Sequence, residues 1–231
     1  MPLEVVLASC QETKRKMKTQ TLKKDWTGNK ATAFSQIGTI YETKQTDPNR
    51  GVDYYASPPQ ALRDLLKYES FENVWECADG AGHLCQVLKE NGILGKHSDL
   101  IDRGCGERGI DFLDINGICQ WPGDIITNPP YRYAQSFVEK ALEIVFTGRK
   151  VAMLLKIQFL EGKNRQRLFK ANPPKTIYVW PGRITCALNG KFEDIKHGSP
   201  MMFGWFVWEK GFRGDPIIKW FNLQSIPDSL F

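Results

Sequence analysis

The chain has 231 residues, 42% of them hydrophobic and 25% charged, which suits a folded globular protein and excludes a mainly disordered one. No apolar run approaches the roughly 20 residues of a membrane helix, so a spanning protein is excluded. The formal charge of +5 is unevenly placed: residues 1–50 hold nine Lys/Arg against five Asp/Glu, while the remaining 181 residues hold 22 against 21.

Six of the early cations, Lys14, Arg15, Lys16, Lys18, Lys23 and Lys24, fall within eleven residues. Such a run is either a solvated tail or a basic arm attracted to phosphates. The first fifty residues show no sustained periodicity, and we read 1–50 as an arm or linker ahead of a domain over 51–231. Near the N-terminus the apolar stretch Val5-Val6-Leu7-Ala8 precedes the positive cluster, the reverse of a signal peptide's order. Cys10, Cys77, Cys85, Cys105, Cys119 and Cys186 include no C-x-x-C pair, so neither a zinc ribbon nor a disulfide scaffold is indicated. A reducing, cytoplasmic compartment is the expectation.

From Ser57 the chain becomes regular. Ser57-Pro58-Pro59-Gln60 has the spacing of a capping box, and Leu62, Leu65 and Leu66 then form one helical face. Val74 to Cys77 reads as a strand running into the glycine turn Asp79-Gly80-Ala81-Gly82. Leu84, Val87 and Leu88 continue as a helix that Asn91-Gly92 can end. Asp124 to Thr127 is a strand that stops at Asn128-Pro129-Pro130. Ala134, Phe137, Val138, Ala141, Leu142 and Val145 have amphipathic helical spacing. Val151 to Leu155 is apolar throughout, as in a strand covered on both faces, and Thr176–Trp180 and Met202–Trp208 are closing strands. Helices alternating with short apolar strands predict an open α/β sheet with helices on both faces. Ligands of such sheets bind beyond the carboxyl ends of the strands, where the turns at 79–82 and 128–131 fall.

Glu76 and the two glycines of Glu76-Cys77-Ala78-Asp79-Gly80-Ala81-Gly82 place an acid and an open backbone ahead of a helix. The literal G-x-G-x-x-G at Gly104 to Gly109 lacks a strand before it and a helix after it, and is read as a loop. In Thr127-Asn128-Pro129-Pro130-Tyr131 the prolines make a rigid turn. Such a turn can aim an amide oxygen and a backbone carbonyl at one planar NH2, with a tyrosine ring beside them for a flat base. His83, His97 and His197 show no ligand spacing and are read as structural or surface residues, with no metal expected.

These residues carry a resemblance. Asn128-Pro129-Pro130-Tyr131 resembles motif IV of the amino methyltransferases, which methylate adenine N6 or cytosine N4 with S-adenosyl-L-methionine. Ser57-Pro58-Pro59 resembles motif X, and Glu76 to Gly82, with Glu76, Ala78, Asp79, Gly80 and Gly82, resembles motif I. Asp99 resembles the motif II acid on the ribose, with Asp102 competing for that role. Asp111-Phe112-Leu113 resembles motif III, whose acid meets the cofactor adenine. The stretch from Asp53 to Trp220 is similar to phage and prophage-type adenine-specific DNA methyltransferases.

The resemblance implies a Rossmann-like class I methyltransferase fold, a mostly parallel sheet with an antiparallel closing strand. It also implies that Asn128 and the Pro129 carbonyl accept from the target amine, Tyr131 stacks on the base, and no metal is required. Larger members carry a long target-recognition domain. Only about 75 residues follow Lys156 here, which implies weak sequence selectivity. The arm and the basic loop Lys163, Arg165, Arg167 and Lys170 favour nucleic acid over protein. DNA adenine N6 is the leading substrate. RNA adenine N6 or guanine N2, DNA cytosine N4, a protein glutamine amide and a non-catalytic nucleic-acid-binding subunit are the alternatives.

Overall fold

A computed structural model describes residues 55–115, 120–188 and 201–222. The expected arm over 1–50, with its six clustered cations, lies outside them. In chain order the elements are β1 (Tyr55–Ala56), α1 (Pro59–Leu66), β2 (Val74–Glu76), α2 (His83–Glu90), β3 (Leu94–Asp99), β4 (Glu107–Arg108), β5 (Ile125–Thr127), α3 (Ala134–Ile144), β6 (Lys150–Lys156), α4 (Gln166–Ala171), β7 (Thr176–Val179), β8 (Ala187–Leu188), β9 (Phe203–Glu209) and β10 (Ile217–Trp220). Short 3-10 turns cover Phe112–Asp114, Tyr131–Tyr133, Ile157–Leu160 and Lys163–Arg165.

Eight strands form one sheet in the order β10-β7-β9-β6-β5-β2-β3-β4. Every neighbouring pair is parallel except those of β9, which runs antiparallel to both β6 and β7. This is the mostly parallel sheet expected from the sequence, with β9 as its antiparallel strand. β1 and β8 pair separately as a two-stranded clip.

Alternating side chains of the central strands feed two cores. Val151, Met153, Leu155, Phe206 and Trp208 join Trp75, Phe112, Phe137 and Val138 on the α3 face. Ala152, Leu154, Trp205 and Val207 join Leu62, Leu65, Val87 and Leu88 on the α1/α2 face. Each fully buried side chain of this kind contributes about 1.5–3 kcal/mol. Coverage of both faces explains why β6 reads as a continuous apolar run. Asp124 fixes the start of β5: its carboxylate accepts from the Glu72 amide at 2.7 Å and the Lys150 amide at 2.8 Å.

Three local expectations are corrected. The capping box does not form, because α1 starts at Pro59 with Pro58 as its N-cap, one residue later than Ser57 requires. Gln60 instead donates to Asp64 at 2.9 Å. Val145 lies past the end of α3 in extended backbone, yet it remains fully buried. β10 was not separated from the tail by its sequence, and all four of its residues are exposed, so it has no apolar alternation to betray it.

Candidate functional site

The chain leaves β2 for β3 and β4 on one side, then returns to β5 on the other side of β2. That reversal makes a switch point at which the turns after β2 and β5 open onto a common crevice. Trp75 of β2 and Ile125 of β5 are register partners, so Glu76 and Thr127 end adjacent strands.

The turn after β2 is held in place by hydrogen bonds from its backbone amides to the end of β3. The Asp79 amide donates to the Ser98 carbonyl at 3.1 Å, and the Gly80 amide donates to Asp99 Oδ2 at 2.8 Å. Gly80 and Gly82 adopt φ of 57° and 80°, a left-handed backbone that costs a β-carbon-bearing residue about 1–2 kcal/mol. Glu76 is 1% exposed, and its Oε1 accepts from the Ala78 amide at 3.1 Å. Burial pushes its carboxyl up to about 8; the neighbouring Asp79 and Asp99 charges add to the rise, and the Thr127 hydroxyl and Ala78 amide oppose it. The hydroxyl lies near, but without the geometry of a hydrogen bond. Asp79 differs from the rest of the turn. Its carboxyl is buried against His97, so its backbone, rather than its side chain, lines the turn.

Of the two acids competing at the end of β3, Asp99 is the one that faces this turn. It also accepts from the Ile101 amide at 2.7 Å and from Arg103 at 3.2 Å. Asp102 is half exposed and accepts from the Gly104 amide and from Arg108. The Ile110 amide donates to the Asp99 carbonyl at 3.1 Å, which brings Asp111 alongside. Asp111 caps the next turn, its Oδ1 accepting from the Leu113 amide at 2.9 Å. Phe112 is 1% exposed and packs on Trp75 and Phe137. Its ring is thus occupied by the core, which leaves its backbone beside the turn.

Asn128 follows β5 directly. Its Nδ2 donates to the Tyr55 carbonyl at 2.7 Å, which fixes the amide plane, and its Oδ1 is buried without a hydrogen-bond partner. Tyr55 is itself placed by the β1/β8 clip. Pro129 is buried, and the Pro130 carbonyl is taken by the Tyr133 amide at 2.8 Å. The Tyr131 ring lies 5.6 Å from the rings of both Tyr55 and Phe203, with the Lys156 ammonium 4.5 Å from its centroid.

Among the described residues, four buried side-chain oxygens near the ends of these strands have no hydrogen-bond partner: Ser57 Oγ, Glu76 Oε2, Thr127 Oγ1 and Asn128 Oδ1. Each such group costs about 1–3 kcal/mol in a protein interior. A polar ligand with donors on this side offsets that cost. The residues present therefore suit a cofactor carrying an ammonium and hydroxyl groups.

The basic loop follows β6 at the same sheet edge. Lys163 and Arg167 are exposed. Arg165 is used internally: its guanidinium donates to the Gln158 and Glu161 carbonyls and sits over Phe159. Tyr55, Lys156 and Phe203 belong to the site and were missed from the sequence. Tyr55 acts through a carbonyl, which residue identity does not reveal, and Phe203 reaches the site only through the antiparallel pairing of β9.

No family model and no curated protein matches the sequence. Among solved structures, the chain is similar to a protein of Listeria monocytogenes provisionally described as a class I S-adenosylmethionine-dependent methyltransferase. Identity is 12% and the TM-score 0.50, over 84% of this chain and 73% of that one. It is also similar to the methyltransferase subunit of a type I restriction-modification system from Streptococcus thermophilus. There identity is 12% and the TM-score 0.50, over 73% of this chain and 48% of the subunit, so the likeness spans about half that subunit's length. These likenesses establish the fold, which is that of the class I methyltransferases.

Proposed function

We propose that residues 51–231 form a catalytic domain that transfers a methyl group from S-adenosyl-L-methionine to the N6 amine of adenine in DNA. The observation that carries this reading is Asn128. Its amide is locked by the Tyr55 carbonyl, and its buried oxygen is left without a partner at the carboxyl end of β5.

An adenine amine is a poor nucleophile because its lone pair is delocalised into the ring. Asn128 Oδ1 and the Pro129 carbonyl accept its two protons, which drives the nitrogen towards a tetrahedral form and localises the lone pair. The Pro130 carbonyl is unsuited to this role, since Tyr133 already engages it. Tyr131 stacks on the extruded base once Lys156 swings off its ring, a contact worth about 1–3 kcal/mol against a few for unstacking the base. S-adenosyl-L-methionine supplies a methyl already activated by its sulfonium.

On the cofactor side, Glu76 receives the ammonium, and Ser57 and Pro58 wall the pocket above α1. Gly80 and Gly82 allow close backbone approach, Asp99 holds the ribose and Asp111 meets the adenine. Catalysis then rests on positioning and electrostatics. The exposed Lys163 and Arg167, together with the arm cations, attract the phosphate backbone.

Labelled methyl transfer to DNA, RNA and protein, with nucleoside analysis of the products, tests the reading. N6-methyladenine in the DNA is the expected product. Label confined to RNA guanine N2 or to a protein glutamine would overturn the substrate assignment.

A further inference from the structure

Behind the turn that follows β2, three potential ligands come together from separate parts of the chain. His97 of β3 places Nδ1 at 2.9 Å from Asp79 Oδ2 and 3.7 Å from Cys105 Sγ. The three donor atoms all lie within 4.8 Å of one another. The Asp79 side chain is fully buried, and its second oxygen, Oδ1, has no hydrogen-bond partner.

Two glycines keep this space clear. A β-carbon at Gly106 would fall 2.1 Å from Asp79 Oδ2 and 2.8 Å from His97 Nδ1, and one at Gly82 would fall 2.5 Å from Cys105 Sγ. Both residues have positive φ, so the backbone as well as the space disfavours a side chain there. His97 remains partly exposed, and a surface depression of about 500 Å³ lined by Lys96, His97, Gly106 and Glu107 opens onto it. The cluster therefore has a fully buried anion at its base and an entry path at its mouth.

We propose that Asp79, His97 and Cys105 form a binding site for a divalent transition metal of the zinc class, held by one carboxylate oxygen, one imidazole nitrogen and one thiolate. Tetrahedral zinc with ligands at about 2.0–2.3 Å places neighbouring donor atoms about 3.3–3.7 Å apart. The two spacings to His97 Nδ1, 2.9 and 3.7 Å, lie within a few tenths of an ångström of that range, and the third pair lies within 4.8 Å. Three protein ligands leave the fourth position to water.

On binding, the Nδ1 lone pair goes to the metal with the ring proton on Nε2, and the Cys105 thiol releases its proton to solvent. In the metal-free protein, burial and then the Asp79 charge hold that thiol above its ordinary range. A bound cation reverses the effect. Asp79 precedes Gly80, so the metal would pin the backbone of the glycine turn from behind.

The site stands on its donor geometry and is independent of methyl transfer. The test uses the full chain with zinc or cobalt alone. Zinc titration should give one equivalent bound, and cobalt should give a sulfur-to-metal charge-transfer band. Cys105→Ala should abolish that band, and both Cys105→Ala and His97→Ala should weaken zinc binding by more than about tenfold, the lower bound for loss of even an outer partner. The cobalt spectrum of the unaltered protein keeps the test decisive should either variant fail to fold. Absence of stoichiometric binding, or of a thiolate band in the unaltered protein, would overturn the assignment.

Discussion

Replacement of Asn128 by alanine separates a functional residue from a structural one through the sign of its effect on stability. The substitution removes the bond from Nδ2 to the Tyr55 carbonyl, worth about 0.5–1.5 kcal/mol. It also removes Oδ1, a buried acceptor with no partner, whose burial costs about 1–3 kcal/mol. Asn128 is only half buried, so the space left behind is small. The two contributions oppose each other. Their difference runs from about 0.5 kcal/mol of lost stability to about 2.5 kcal/mol gained. For a domain of this size one kcal/mol moves the melting temperature by about 2–4 °C. The variant should therefore melt no more than about 2 °C below the unaltered protein, and it has room to melt well above it. Methyl transfer to DNA should fall by about 10²-fold or more, as expected for a positioned catalytic group. S-adenosyl-L-methionine affinity should change little. Thermal melts beside a single-turnover transfer assay read both quantities. A large drop in melting temperature with a proportionate loss of activity would make Asn128 a structural residue, and turnover above about a tenth of normal would remove it from catalysis.

Three further outcomes follow from the same site. Asp111→Ala and Gly80→Val should each weaken S-adenosyl-L-methionine binding, the first by removing an adenine contact and the second by placing a β-branched residue at a φ of 57°; unchanged affinity in both by calorimetry would mean the pocket is misplaced. Glu76 has a folded-state pKa of about 8 against an ordinary 4.5, so its contribution to stability is complete below about pH 4.5 and is lost as pH rises through about 8. The stability advantage of Glu76→Gln over the unaltered protein should then grow between about pH 5 and pH 9, and a difference that stays flat across that window in thermal melts would contradict the burial argument. Deleting residues 1–26 should flatten the slope of log K against log salt for DNA by about 2 to 3 units while kcat at saturating DNA holds steady, whereas a non-contacting tail leaves the slope unchanged.

The sheet and its switch point could be read from the sequence because the strands are short, apolar and punctuated by turns. Val151 to Leu155 needs burial on both faces, and the glycine and proline turns end β2 and β5 where ligands of such sheets bind. Glu76, Asp99 and Asn128 fall at the carboxyl ends of β2, β3 and β5, where the pattern of strands and turns puts them. What stayed hidden depends on contacts between distant segments. The Tyr55 carbonyl reaches Asn128 across 73 positions, and the internal role of Arg165 is set by carbonyls that any residue could supply. The ring of Phe112 is another such case, since Trp75 and Phe137 pack on it from other parts of the chain. The cluster of Asp79, His97 and Cys105 has no regular spacing and exists only because β3 runs parallel beside β2 and the loop ahead of β4 passes the turn.

The antiparallel strand β9 also dictates when this molecule can be finished during synthesis. It lies between β6 and β7, so neither neighbour reaches its final hydrogen bonding until Phe203–Glu209 has left the ribosome. Until then β6, paired with β5 on one side, leaves its other edge open along Val151 to Leu155. An open apolar edge is a template for pairing with other chains. A nascent chain halted anywhere between β7 and β9 is thus the form most prone to association with its own kind. Insertion of β9 joins the half that carries the glycine turns to β7.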